Sequence, residues 1–352
     1  MLSIALFLAG WSCGWLLLWR LPVPPRAVAS AGPSRPRLAV VVPARDEAAM
    51  LPALLASVQA QLREGDELVV VDDHSTDGTA AVASACDARV LAAPELADGW
   101  AGKPAACHAG AMATTAALLV FVDADVVLAD GALDRLALAQ AASGAVVSVQ
   151  PWHQMAGPVE RLSLVFNLTA LMGGGSFSAW RGQVRHRLAY GPVLLLDRER
   201  YEAVGGYANP AVRGAVAEDL ALARLVGRSL PFAGRRLASF RMYPQGACQL
   251  VRGWTKNIAT GAGNVPWWAG ALVVAWIWSL AGGVFASWWC VAASVVQVAV
   301  QGRRVGRYGL LSALLYPLLL AFFLAVFLRS VVLTATGSRV RWRGRLVPTR
   351  AP

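Results

Sequence analysis

A chain of 352 residues is long enough for one large domain plus attachments. With 57% hydrophobic and 15% charged residues it is too apolar for an ordinary water-soluble enzyme, and it calls for membrane segments. The formal net charge of +11 clusters at the ends of apolar segments, with no zinc-finger spacing or basic helix, which favours anionic lipid over nucleic acid as a partner.

Met1 to Trp19 carries no charge and is about long enough to span a bilayer. No basic segment precedes the apolar run, so residues 1–20 read as a transmembrane signal-anchor rather than a cleaved signal peptide. Arg20, Arg26, Arg35 and Arg37 all follow it, which places the N-terminus outside and the next domain in the cytoplasm, at the cell (inner) membrane. Residues 21–37, with five prolines, read as a stiff linker. The five cysteines (Cys13, Cys86, Cys107, Cys248, Cys290) are scattered and lack Cys-x-x-Cys spacing, as suits a reducing compartment.

Residues 38–263 alternate between strand and helix patterns. Leu38 to Val42 is a buried strand ending in Pro43-Ala44-Arg45-Asp46-Glu47, and a helix follows over about 47–61, with Leu51, Leu54, Leu55 and Val58 at helical spacing. Glu67 to Val71 is a second strand, closed by the turn Asp72 to Thr79; Arg89 to Leu91 is a short third. After Gly102-Lys103 a helix runs toward Thr115. Then comes an unbroken apolar run from Ala116 to Val122, leading into Asp123-Ala124-Asp125, which reads as a strand buried on both faces in a parallel sheet. Ala145–Val149 and Tyr190–Leu196 add two strands, and Glu218-Asp219 opens a helix. The pattern predicts a doubly wound α/β domain with ligands at the carboxyl ends of its strands. Leu162 to Trp180 reads equally as a core helix or an interfacial one.

Membrane segments return over residues 264–336. Val265 to Gln301 is one apolar run, interrupted at Ala281-Gly282-Gly283, where a tight hairpin fits; Gly309 to Thr336 is a further span. Three spans would put the basic tail, 337–352, outside against the charge bias, whereas two would keep it inside but need an overlong segment. The number stays open.

Asp123 and Asp125, two apart in extended chain, face one site, and paired hard oxygens suit Mg2+ or Mn2+ bound together with phosphates. The bland alternative is a solvated acidic turn. Lys103 could pair with phosphate or merely start a helix. Glu218 and Asp219 could supply a general base or simply complement a helix dipole. His74, His108, His153 and His186 show no ligand spacing and read as turn or surface residues. Together these features fit transfer of a group from a nucleotide donor at a membrane.

Val-Val-Pro-Ala-Arg-Asp-Glu (41–47), Val-Val-Asp-Asp-His-Ser-Thr-Asp-Gly-Thr (70–79), Gly102-Lys103, Val-Asp-Ala-Asp (122–125) and Glu218-Asp219 resemble family 2 glycosyltransferases, in order and spacing. The resemblance implies a GT-A fold, dependence on Mg2+ or Mn2+, and inversion at the anomeric carbon. It implies that Pro43, Arg45, Glu47, Asp73 and Lys103 border the nucleotide, that Asp123 contacts the nucleotide sugar, that Asp125 holds the metal, and that Asp219 is the catalytic base. Further blocks, Ser148 to His153, Gly191-Pro192-Val193, Phe240 to Tyr243, Gly253 to Asn257 and Val340 to Arg345, resemble members of that family that glycosylate carotenoid acids. The donor implied is a UDP-sugar carrying a hexose, glucose first, and the acceptor is lipophilic: a carotenoid carboxylate, or else a lipid alcohol of polyprenyl or hopanoid type. Gln249, Arg252 and Trp254 resemble the Gln-x-x-Arg-Trp motif on the acceptor and diphosphate side. Gly253 is inserted before the tryptophan, which speaks against a polymerising enzyme. The rival from another class, a catalytically silent membrane scaffold, is disfavoured by the intact acids at 123, 125 and 219.

Overall fold

The computed structural model describes residues 2–24, 35–180, 188–215, 217–337, 339–342 and 345–348, and it divides into two compact units. One comprises Met1–Leu21, His153–Gln183 and Arg241–Pro352; the other comprises Pro22–Trp152 and Val184–Phe240. The chain opens in the first unit with helix α1 (Leu2–Leu17).

The second unit is built on a seven-stranded sheet. Its elements are β1 (Leu38–Ala44), α2 (Leu51–Gln59), β2 (Glu67–Asp72), α3 (Thr79–Ala85), β3 (Arg89–Ala92), α4 (Gly102–Met112), β4 (Leu118–Val122), β5 (Val126–Leu128), α5 (Ala132–Ser143) and β6 (Val146–Gln150). The two-residue β7 (Trp152–His153) closes this run. After α6 (Leu164–Gly173), which belongs to the first unit, the second unit resumes with β8 (Val193–Asp197), α7 (Arg198–Ala203), α8 (Pro210–Arg213), α9 (Glu218–Val226), β9 (Ser229–Ala233) and β10 (Ala238–Phe240). Strand order is β3-β2-β1-β4-β8-β6-β9. β1 pairs in parallel with both β2 and β4, but β8 runs antiparallel between β4 and β6, so the sheet is mixed rather than purely parallel. All five residues of β4 are buried, as its unbroken apolar run requires. Beneath it Phe121 meets Tyr207 edge-on at 5.0 Å.

Two local departures follow from side-chain hydrogen bonding. α2 begins at Leu51, not Glu47, because the amides of the preceding loop are taken up by the loop after β2. Asp46 N donates to Ser75 Oγ (3.0 Å), Glu47 N to Thr79 Oγ1 (2.9 Å) and Ala48 N to Asp77 Oδ2 (3.0 Å). The proline-rich stretch before β1 is tied down where it is described. Ala233 N donates to Pro22 O (2.9 Å), and Arg35 pairs with both Asp66 (2.6 Å) and Asp134 (2.7 Å).

The first unit is helical. α6 is buried along most of its length, which makes it a core helix. It is followed by α10 (Ala247–Gly261), α11 (Trp267–Ala286), α12 (Trp288–Val305), α13 (Leu310–Leu314) and α14 (Tyr316–Ala335), and by a two-stranded ribbon, β11 (Arg339–Trp342) with β12 (Arg345–Pro348). α11 passes through Ala281-Gly282-Gly283 unbroken, and the turn falls at Ser287, which is extended (φ −171°, ψ 151°). A Cβ at Gly283 would lie 2.8 Å from the Phe7 ring, so this glycine serves close helix approach rather than a break. α11 and α14 are long and apolar enough to cross a membrane; α1, at 16 residues, is shorter.

Candidate active site

The carboxyl ends of β1, β2 and β4 line up in parallel, so the loops that leave them share one edge of the sheet. After β1, Arg45 donates to Asp73 O (3.0 Å), and its guanidinium lies 3.7 Å from the Asp73 carboxylate. Asp73 and Glu47 are buried and Pro43 is half-buried within β1. Asp46 (φ 52°) and His74 (φ 56°) adopt left-handed backbone, and Asp46 Oδ1 accepts from Thr76 N (2.8 Å). These contacts stitch the two loops into one rim.

Beyond β4 the antiparallel neighbour decides the geometry. Because β8 starts where β4 ends, Asp123 N donates to Pro192 O (2.9 Å), and Gly191 is drawn in beside the acids. A Cβ at Gly191 would lie 2.8 Å from Asp219 Oδ2, so only glycine leaves that carboxylate its place. Lys103, on the first turn of α4, bridges Asp123 Oδ1 (2.7 Å) and Glu218 Oε1 (2.9 Å). Lys103, Asp123, Glu218 and Asp219, four of the residues singled out in the sequence, thus form one cluster; Asp125 follows Asp123 by two and is half-buried.

The charges in the cluster perturb one another. Burial alone would lower the Lys103 ammonium, but the Asp123 and Glu218 carboxylates outweigh it and hold it well above its ordinary range. The lysine side chain keeps 34% of its surface open, so its charge is compensated by neighbours more than hidden from water. Burial first, and the adjacent Glu218 charge second, push the Asp219 carboxyl up to about 7, with Lys103 opposing. Under the lysine, burial pushes the Cys107 thiol above its usual range, so it is a core residue rather than a nucleophile.

Among the described residues no three His, Cys, Asp or Glu side chains converge as a metal cage. Asp123 and Asp125 supply a pair of hard oxygens at most, a donor set that fits Mg2+ or Mn2+ sharing its remaining positions with phosphate and water.

Gln249, Arg252 and Trp254 lie on α10 of the helical unit. Gln249 Oε1 accepts from Gln245 N (2.9 Å), Arg252 is exposed, and Trp254 is buried, stacked on Phe166 at 4.9 Å with Nε1 donating to Ser163 Oγ (3.0 Å). The inserted Gly253 faces the Tyr243 ring, which any side chain there would overlap. Of the histidines, His74 is exposed and His108 half-buried, its Nδ1 3.5 Å from Tyr201 Oη, while His186 lies outside the described residues. His153 corrects the expectation of a turn or surface residue. It is fully buried with its ring stacked toward Tyr308 (6.4 Å), and burial pushes its pKa down to about 3. Gly191 is the site residue to which sequence reasoning gave no role, although the block Gly191-Pro192-Val193 marked it by resemblance; the strand begins after it, at Val193.

The glycosyl transferase family 2 model matches residues 39–179. The chain is 32% identical to a 4,4'-diaponeurosporenoate glycosyltransferase of Staphylococcus haemolyticus over 341 residues, covering 89% of each chain. It is equally similar, at 32%, to the enzyme of the same name from Staphylococcus aureus, over 88% of this chain and 87% of that one. Among solved structures it resembles the mannosyltransferase PcManGT of Pyrobaculum calidifontis in complex with GDP-Man and Mn2+, with TM-score 0.56 and 19% identity, over 94% of this chain and 97% of that one. Fold and acids together define a glycosyltransferase of GT-A type. With relatives at this identity over most of both chains, the chain belongs to glycosyltransferase family 2.

Proposed function

We propose that this enzyme, bound to the cell membrane with its α/β unit in the cytoplasm, moves a hexose, glucose first, from a UDP-sugar to a carotenoid carboxylate, with inversion. The observation that carries the transfer is the Lys103 bridge. It joins Asp123, at the end of the central strand, to the Glu218-Asp219 pair, so donor-side and acceptor-side acids fall in one cluster. The names of the relatives support the acceptor.

In this reading Pro43, Arg45, Glu47 and Asp73 border the nucleotide, and Lys103 exchanges its carboxylates for the incoming diphosphate. Asp123 contacts the nucleotide sugar and, with Asp125, holds Mg2+ or Mn2+, which when bound neutralises the departing diphosphate. An acceptor carboxylate oxygen bonds to the anomeric carbon as the bond to the diphosphate oxygen breaks. That oxygen is already ionised, so Asp219 orients the acceptor rather than deprotonating it. Gln249, Arg252 and Trp254 belong to the acceptor and diphosphate side.

A second reading, transfer to a lipid alcohol, is favoured by one observation. A carboxyl pushed up to about 7 is matched to general-base work at neutral pH. The two are separated by incubating the full-length protein with UDP-glucose, Mn2+ and either an apocarotenoid acid or a lipid alcohol, with products read by mass spectrometry. A glucosyl ester is expected; glucosylation of the alcohol alone overturns the first reading. Asp125→Ala should abolish transfer while the protein stays folded and membrane-bound, and wild-type activity in that variant with Mn2+ or Mg2+ would remove Asp125 from the metal site.

A further inference from the structure

Hydrogen bonds inside the helical unit fix the directions of its helices. α12 climbs α1 rung by rung. The Phe7 and Trp289 rings meet at 5.6 Å, Gln297 Nε2 donates to Trp11 O (2.7 Å), Gln301 Nε2 to Gly14 O (2.8 Å) and Arg304 Nη1 to Leu18 O (2.7 Å). Residue numbers rise together, so α1 and α12 are parallel. α11 runs the other way, with Gly283 beside Phe7 and Trp276 beside Gly14. Trp19, Trp267 and Arg304 therefore mark one end of a three-helix bundle, and Phe285 and Trp288 the other.

The first end carries Arg20, Arg303, Arg304 and Arg307, whereas residues 2–19 and 267–302 hold no charge at all. The 20 residues of α11 rise about 30 Å, the thickness of a hydrocarbon core. Exposed aromatics stand at its two limits: Trp267 (85%) at one, Phe285 (91%) and Trp288 (81%) at the other. α12 is less apolar than α11 because of Gln297, Gln301, Arg303 and Arg304, but both glutamines donate to α1 carbonyls and Arg304 donates to the carbonyl of Leu18 just beyond α1.

α14 does not continue this pattern. It begins deep in the charge-free part, where Tyr316 Oη donates to Leu280 O (3.4 Å), and near its other end Ser330 Oγ donates to Thr255 O of α10 (2.9 Å). On the way Phe323 meets Phe166 of α6 (5.0 Å), a helix whose Leu164 lies against Gly302 at the arginine end. Between Arg307 and Tyr316 the chain climbs through α13, burying its polar Ser312, with Ala313 and Tyr316, in protein and leaving Leu310, Leu311, Leu314 and Leu315 exposed, an outer face that suits hydrocarbon.

We propose that α1, α11 and α12 cross the bilayer, while α13 and α14 form a re-entrant pair that enters from the arginine side, turns at Tyr316 and leaves by the same side. This rests on the membrane reading above. The tail, 337–352, with its five arginines, then shares a side with Arg20, Arg303 and Arg307, facing anionic head groups, and the N-terminus and Ser287 lie on the opposite side. It resolves the choice between two and three C-terminal spans without placing a basic segment outside.

The test uses the full chain in intact cells, with its five cysteines replaced by alanine and single cysteines introduced as Ser287→Cys, Leu315→Cys and Thr336→Cys. Each is probed with a membrane-impermeant maleimide before and after permeabilisation. Ser287→Cys is expected to label in intact cells, Thr336→Cys only after permeabilisation, and Leu315→Cys weakly in both. Labelling of Thr336→Cys in intact cells, or of Leu315→Cys as strongly as Ser287→Cys, overturns the proposal. Should the cysteine-free chain fail to fold, C-terminal fusions of the wild-type chain decide. A fluorescent green fluorescent protein fusion with an inactive alkaline phosphatase fusion supports the proposal, and the reverse overturns it. Release of the wild-type chain by alkaline carbonate would instead defeat the membrane reading itself, whatever the transferase activity.

Discussion

At the scale of single residues, Asp219 discriminates between the acceptor chemistries. A general base contributes about 10²–10⁴-fold, and Asp219→Asn keeps the shape while removing that ability. With a lipid alcohol the variant should lose rate by that range; with an apocarotenoid acid the loss should be much smaller. Initial rates against donor and acceptor concentration separate the cases, and an inactive variant that still binds UDP-sugar would refute the carboxylate account. The pH profile separates them independently. The basic form of Asp219 is the deprotonated one and its pKa is raised to about 7, so alcohol transfer should rise as pH passes through 7. Ester formation should stay level or fall, because a second negative charge then faces the anionic acceptor. Gly191 offers a complementary handle. Gly191→Ala would push the Asp219 carboxylate aside, and since a 1 Å misplacement can cost about 10²-fold, kcat should fall toward that extent with little change in the donor KM. An unchanged kcat would mean that the carboxylate's position is not critical.

At the scale of elements, the departures from the sequence reading share one cause: side chains far away in sequence took over a local preference. The apolar run into Asp123 and Asp125 was legible because five consecutive buried residues leave little choice but a central strand. Its antiparallel neighbour was not, since the apolar stretch Val193–Leu196 is the same whichever way it is read. The glycines at 282 and 283 suggested a break by composition, yet Phe7, nearly three hundred residues away, makes close approach the stronger demand on Gly283. The bundle's small-residue seam can be tested at Gly14, where a Cβ would lie 2.5 Å from the Trp276 indole and 2.9 Å from Gln297 Nε2. Gly14→Val should separate α1 from α11 and cost about 1–3 kcal/mol, read as a lower melting temperature in detergent. An unaltered melting temperature would show that α1 packs loosely.

At the scale of the whole molecule, family and fold were readable from short motifs because acids at strand ends keep their order and spacing whatever lies between them. The division of the chain was less so. Residues 153–183 and 241–263 carry strand-and-helix patterns much like those around them, but their Phe166, Trp254 and Tyr243 side chains pack with one another and with α14. Linear composition records apolarity without recording which surface receives it. His153 shows the same limit, being polar by type and buried by place.

The rungs between α1 and α12 also bear on biogenesis. Their donors and acceptors are separated by about 286 residues, so on the membrane reading proposed above α1 is made long before the side chains that donate to the carbonyls at 11, 14 and 18. α12, in turn, is a reluctant segment for the insertion machinery, with two glutamines and two arginines that become tolerable only against α1. If both helices cross the bilayer, the first is placed to act as an internal chaperone for one of the later ones. With α11 still crossing, removal of residues 1–19 should strand α12 on the side that Ser287 reaches, reported by new labelling of Arg307→Cys in intact cells. Supplying α1 as a separate peptide should abolish that labelling.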